Sequence, residues 1–207
     1  MLTDLSPNRP ELSAEARVLL GPSAAFRELA QEPGGGGAWM LVRRPLLLAF
    51  MFGSLVSLQA SGRVSVRLIA DGALSFAFVP LFEMISVAAV YRLAPRRISL
   101  TRAVDLFFAA NAPWLLWMIA FAALRCLETP RQATAPPIFL LWILELSLVM
   151  VAAWSAWIDI QFFREVLPRP APSPGRDLIL QRAIAWTCTI GYFFGYAIWP
   201  FVVSSGT

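Results

Sequence analysis

The chain has 207 residues, 58% of them apolar and 14% charged, with a formal net charge of +4. Soluble domains run near 45–50% apolar and about 25% charged, so this composition excludes a single soluble core of this size. Histidine is absent and all 17 cationic side chains are arginine, which excludes imidazole bases, histidine-built haem or metal sites, lysine Schiff bases and Ser-Lys dyads.

Residues 1–44 form an N-terminal segment ahead of the first long apolar run. Its start carries Asp4 and no arginine before Arg9. No secretory leader is therefore expected, and the first span is expected to act as the insertion signal. Leu12–Leu20 and Pro22–Glu32 read as two short helical pieces separated at Gly21-Pro22, because proline suits the first turn of a new helix. Phe26, Leu29 and Ala30 share one face, away from Arg27, Glu28 and Gln31. Such an amphipathic lead-in fits the headgroup plane of a bilayer; a solvated tail is the plainer alternative. The glycine run from Pro33 to Gly37 is a flexible link.

Five apolar runs follow, over residues 45–60, 68–91, 103–124, 138–160 and 183–203, against the roughly 20 residues that cross a hydrocarbon layer. The second contains Asp71 and Glu83, the third Asp105, Asn111 and Pro113, the fourth Glu145 and Asp159, and the fifth no charge. Continuous apolar runs favour helices over barrel strands. The proline-rich stretch 168–174 reads as a stiff spacer that ends the fourth helix, and residues 204–207 as an outer tail.

Thirteen arginines lie before the first run, between the second and third, or between the fourth and fifth; only Arg63, Arg67, Arg125 and Arg131 lie on the other side. The positive-inside rule then gives a cytoplasmic N-terminus and an outer C-terminus in a bacterial inner membrane. The fold class expected is all-α: an integral membrane bundle of five transmembrane helices with an N-terminal amphipathic lead-in. The isoelectric point near 9.8 reflects arginines in short turns, which argues for lipid headgroups rather than nucleic acid.

Chemistry narrows to intramembrane polar groups. Glu83 and Asn111 each lie roughly 12 Å from the inner end of their spans by helical rise, so a Glu83–Asn111 contact is predicted. Glu145 lies in the outer half of the fourth span, with Ser75 and Tyr196 at similar depth as candidate partners. A proton or cation path through Glu83 and Glu145 is one reading; polar bonding between helices is preferred. Asp71, Asp105 and Asp159 read as salt links at span ends, with Arg67–Asp71 and Arg102–Asp105 at helical spacing. Gly191 and Gly195, four apart, read as a close helix contact, internal in preference to a self-association seam. Cys126 and Cys188 are expected on opposite sides, too far apart for a disulfide. The aromatic residues of the fifth span read as packing and interfacial belts. No cofactor or metal is expected.

Two stretches carry a family resemblance. Pro22-Ser-Ala-Ala-Phe26-Arg-Glu-Leu-Ala-Gln-Glu-Pro33 resembles the lead-in of the Yip family of small membrane proteins. Ile98-Ser-Leu-Thr-Arg-Ala103, followed by Ala109-Ala-Asn-Ala-Pro113-Trp-Leu-Leu116, resembles that family's short polar turn feeding a span with a mid-helix proline. The likeness is to the bacterial branch and covers roughly residues 15–203. It implies five spans with an inner N-terminus. No residue here carries over the small-GTPase and vesicle-traffic association of eukaryotic relatives. The expected role is non-catalytic, a scaffold or accessory subunit that binds other membrane proteins or organises lipid. The alternative is a small proton, ion or solute transporter using Glu83 and Glu145. The lipid bilayer, other membrane proteins and a second copy of the chain are the expected partners.

Overall fold

A computed structural model describes residues 12–32, 37–61, 64–95, 98–127, 138–169 and 173–198. It is all-helical, with no strand among the described residues. Two short helices, α1 (Ala14–Leu20) and α2 (Pro22–Gln31), lead in. Ser13 caps α1 by accepting from the Ala16 backbone N–H at 3.2 Å, and Pro22 opens α2 where its missing N–H costs nothing.

The next helix, α3 (Ala38–Ser61), starts seven residues before the expected 45–60 and carries Pro45 inside it. Arg43 and Arg44, read from the sequence as the boundary, are ion-paired within the protein, so the helix runs through them. The second run is divided into α4 (Val66–Phe76) and α5 (Phe78–Leu93). The third is divided into α6 (Leu100–Ala109) and α7 (Ala112–Leu127), bent by 41°. Both breaks have one cause. Proline clashes with the carbonyl four residues earlier, and Pro80 and Pro113 stand four residues after Phe76 and Ala109, the last residues of α4 and α6. At the second break the backbone tightens, with Ala110 N–H donating to Phe107 and Asn111 N–H to Phe108.

The fourth run is one long helix, α8 (Ile138–Glu165), and the fifth is α9 (Pro174–Phe193) closed by a π-type turn, Phe194–Ile198. By length and apolarity, Ala38–Leu58, Val66–Leu93 and Trp142–Glu165 can each cross a membrane, and the bent α6–α7 pair makes a fourth. The expected fifth span is not among them: α9 starts nine residues earlier than expected and takes in Asp177 and Arg182. Residues 199–203 lie outside the described residues.

Helix α6 is the centre, buried from Ala103 to Ala109. Phe107 meets Phe162 edge-on at 5.5 Å, and Phe162 meets Phe26 of α2 at 5.7 Å. Val18, Phe26 and Leu29 are thus buried against protein. The apolar face expected to meet lipid is covered by α6 and α8 instead, and about 1.5–3 kcal/mol accompanies burial of each such side chain.

The close helix approach lies elsewhere than expected. Gly191 and Gly195 meet nothing among the described residues, whereas Gly53 of α3 and Gly72 of α4 pack backbone to backbone. A Cβ on Gly53 would strike the Ile69 carbonyl oxygen and the Ala73 nitrogen. Beside this contact the buried Ser57 hydroxyl accepts from the Ser65 backbone N–H at 2.9 Å, tying the α3–α4 turn. Gly53→Val should therefore lower stability by about 1–3 kcal/mol through overpacking, measured by denaturant unfolding in micelles. Gly191→Val, with nothing to strike, should cost less than about 0.5 kcal/mol.

Candidate functional site

Polar side chains collect at two levels of the bundle. The first is at the arginine-rich end. Asp105, on α6, is fully buried and accepts two hydrogen bonds from Arg43, at 2.9 and 3.0 Å. Arg44 also pairs with its carboxylate, while donating to its backbone carbonyl at 2.9 Å and to Glu15 of α1 at 2.7 Å. Arg102 stands 3.5 Å away and donates to the Leu29 carbonyl of α2 at 2.7 Å. Arg17 links Glu28 and Glu32, each at 2.7 Å. The expected Arg102–Asp105 link at the span end is present, and Arg43 and Arg44 join it, so that a buried anion held by three arginines fastens α1 and α2 to α3 and α6. Glu165 at the end of α8 extends this by accepting from Ser23 at 2.7 Å and Arg27 at 3.2 Å. The Arg67–Asp71 pair is present at 3.7 Å and exposed. An open cleft of about 490 Å³ is lined by Ser13, Ala14, Glu15, Arg43, Arg44 and Leu47; its guanidinium groups already hold carboxylates.

The second level lies roughly 9–15 Å from that end by helical rise. Asn111, at the α6–α7 break, donates to Glu83 Oε2 at 3.3 Å, the contact predicted from matched depth. Glu83 Oε1 stands 3.6 Å from Arg182 on α9. Arg182 also donates to the fully buried Asp159 of α8 at 2.5 Å. One helical turn along α5, the Ser86 hydroxyl donates to the Glu83 carbonyl at 2.8 Å and accepts from Gln181 of α9 at 2.9 Å. Asp159 is therefore not the boundary link expected, nor Arg182 a turn residue: both lie inside the bundle. Asp159, Gln181 and Arg182 are the residues missed as site members. The available signal was that Gln181 and Arg182 sit between Leu178-Ile-Leu180 and Ala183-Ile-Ala-Trp186, in an apolar run rather than a polar loop.

Other expected partners are not brought together. Glu145 is exposed on α8 with no hydrogen bond or ion pair among the described residues, and Ser75 is exposed on α4. Tyr196, also exposed, stacks on Tyr192 at 5.5 Å. Depth was matched but neighbours differ. At this height α8 leans on α7, where Trp117 Nε1 donates to Ser147 at 3.1 Å, while α9 leans on α5, where Tyr192 stacks on Phe78 at 4.7 Å. Among the described residues no three His, Cys, Asp or Glu side chains converge to hold a metal ion. Cys188 is a free, half-buried thiol, and the side chain of Cys126 lies outside the described residues.

No protein-family model matches the chain, and no curated protein or solved structure matches it.

Asp105→Ala leaves three arginines around an empty place. It should cost about 3–5 kcal/mol, as expected when one partner of a buried pair is removed, and should expose the Gly21 junction to limited proteolysis. Glu15 sets a pH dependence. Burial raises its carboxyl, but the charge and hydrogen bond of Arg44 outweigh this and hold it below the usual value of 4.5. Because the folded value is depressed, the stabilisation is present above that usual value and is lost as pH falls through the folded one. Glu15→Gln should lower stability at neutral pH and flatten the acid limb of a melting-temperature profile.

Proposed function

We propose that the chain is a non-catalytic integral membrane protein, a scaffold or accessory subunit that binds another membrane protein side by side in the bilayer. The observation that carries this reading is Glu145. It projects from α8, a helix long and apolar enough to span, on a face where Trp142, Leu146 and Val149 are also exposed. A lone carboxyl facing hydrocarbon is costly, and a neighbouring helix with a hydrogen-bond donor removes that cost. The partner proposed is a transmembrane helix bearing such a donor.

The same proposal includes five crossings of a bacterial inner membrane with the arginine-rich end in the cytoplasm, in a Yip-like order of segments. Supporting the fifth crossing, α9 and its π-type turn cover 174–198 and pack on α5. Asp177 and Arg182, the two charges that lower its apolarity besides the exposed Arg176 of the first turn, are ion-paired. The transport alternative draws on Glu83, which lies inside the bundle, but Glu145 lies on its outside.

A photo-crosslinking residue at Val149 should capture one stoichiometric partner in native membranes. Glu145→Leu should weaken that association by about tenfold, in line with the roughly 1–2 kcal/mol of an interhelical hydrogen bond in a membrane. A monodisperse protein with no partner, conducting ions in liposomes, would favour transport instead. A reporter after Thr207 that is active in the cytoplasm would refute the fifth crossing.

A further inference from the structure

Two carboxylates and one guanidinium make up the charge of the mid-bundle cluster: Glu83, Asp159 and Arg182. The Asp159 side chain is wholly buried and Glu83 is 13% exposed. With both carboxylates ionised, the cluster would hold one uncompensated negative charge in the interior of a spanning bundle, where an isolated ion is strongly disfavoured.

Among the described residues, no second cation on the surrounding helices turns toward the cluster. On α6, Asp105 engages Arg43, Arg44 and Arg102. At the end of α8, Glu165 engages Arg27. Asp177 on α9 pairs with Arg169, 2.9 Å away. Arg92, Arg164 and Arg176 are exposed at helix ends. On α7, Asn111 is the polar group facing the cluster, and it is neutral.

The hydrogen bonds point the same way as the charge count. Arg182 reaches only one oxygen of Asp159, and Asp159 Oδ1 is buried without a partner. One turn back on the same face of α8, Ser155 Oγ is also buried and unpartnered. A buried anion with an orphan oxygen is a place where a proton belongs, because protonation removes the excess charge and turns the unpartnered charged oxygen into part of a neutral acid, which is far less costly to bury.

We propose that Glu83 and Asp159 share one exchangeable proton around Arg182, so that the middle of the bundle is a proton-binding site. The proton is taken up from water as hydronium and returned to it, and no covalent bond other than O–H forms or breaks. The two carboxyls titrate as a pair: whichever is ionised faces Arg182, and the other carries the proton. This inference does not rest on the docking reading of Glu145.

The test is infrared spectroscopy of the full chain in liposomes. It is made in the Glu145→Gln background, so that the lipid-facing carboxyl contributes nothing. At neutral pH the background protein should show the C=O stretch of a protonated carboxylic acid, shifted in D2O. Glu83→Gln or Asp159→Asn should each abolish that band, because the remaining carboxylate then faces Arg182 one to one. Arg182→Gln should instead roughly double it. Absence of the band in the background protein would overturn the proposal, and that reading does not depend on any cluster variant folding. Persistence of the band in Glu83→Gln or in Asp159→Asn would overturn it as well, since the proton would then belong to one group alone.

Discussion

The Asp159–Arg182–Glu83 bridge fixes how the three helices α5, α8 and α9 sit against one another, because charge withdrawn from water has to be answered by charge. At an effective dielectric constant of about 20, unit charges 4 Å apart attract by about 4 kcal/mol, while each buried ion gives up several kcal/mol of hydration. The pair is thus close to neutral in net terms, but a misplaced helix that separates it is not. Asp105 acts in the same way at the arginine-rich end. Its position between Arg43, Arg44 and Arg102 allows one placement of α6 against α3, and the outward bonds of Arg44 and Arg102 to Glu15 and the Leu29 carbonyl carry that register to α1 and α2. The halves of α8 and α9 away from the arginine-rich end show no such layer among the described residues and are largely exposed from Trp142 to Trp154 and from Trp186 to Tyr196. The protein is tied together at one end and presents apolar helix surface at the other.

Backbone breaks make the polar layers possible. Pro113 ends α6 at Ala109 and leaves Asn111 in a tight turn whose side chain reaches Glu83 across to α5. A straight helix would carry Asn111 round with its neighbours, and the amide would have no reason to face α5. The break also lets α6 follow the core while α7 leans outward to α8. The lead-in helices close the other end, with Phe26 joined to the aromatic contacts of Phe107 and Phe162. In this arrangement the segment before the first span is part of the folded bundle.

The helical character and most run centres were legible in the sequence because hydropathy is a local property. Depth was legible too: equal distance from the inner ends of their spans paired Glu83 with Asn111. Rotation about the helix axis was not, and two expectations failed for that reason. Glu145 and Tyr196 share a depth but face different neighbours, and the glycines at 191 and 195 share a face that none of the described residues covers. The true close approach was foreshadowed by Ala49, Gly53 and Ser57, small residues four apart on α3. Treating every arginine as a turn residue hid Arg182, Arg43 and Arg44. An arginine inside a spanning bundle is paid for by a carboxylate on another helix, and hydropathy along one helix cannot show that partner.

The central claim is that buried charge, matched across helices, holds the bundle in register. The measurement that tests it most directly is a double-mutant cycle on Asp159→Asn and Arg182→Gln, with unfolding followed in bicelles. The account predicts that the two losses are strongly non-additive, with a coupling of about 1.5–3 kcal/mol, as for hydrogen bonds between charged partners. Losses that add to within about 0.5 kcal/mol would mean that the bridge holds nothing, and would contradict it.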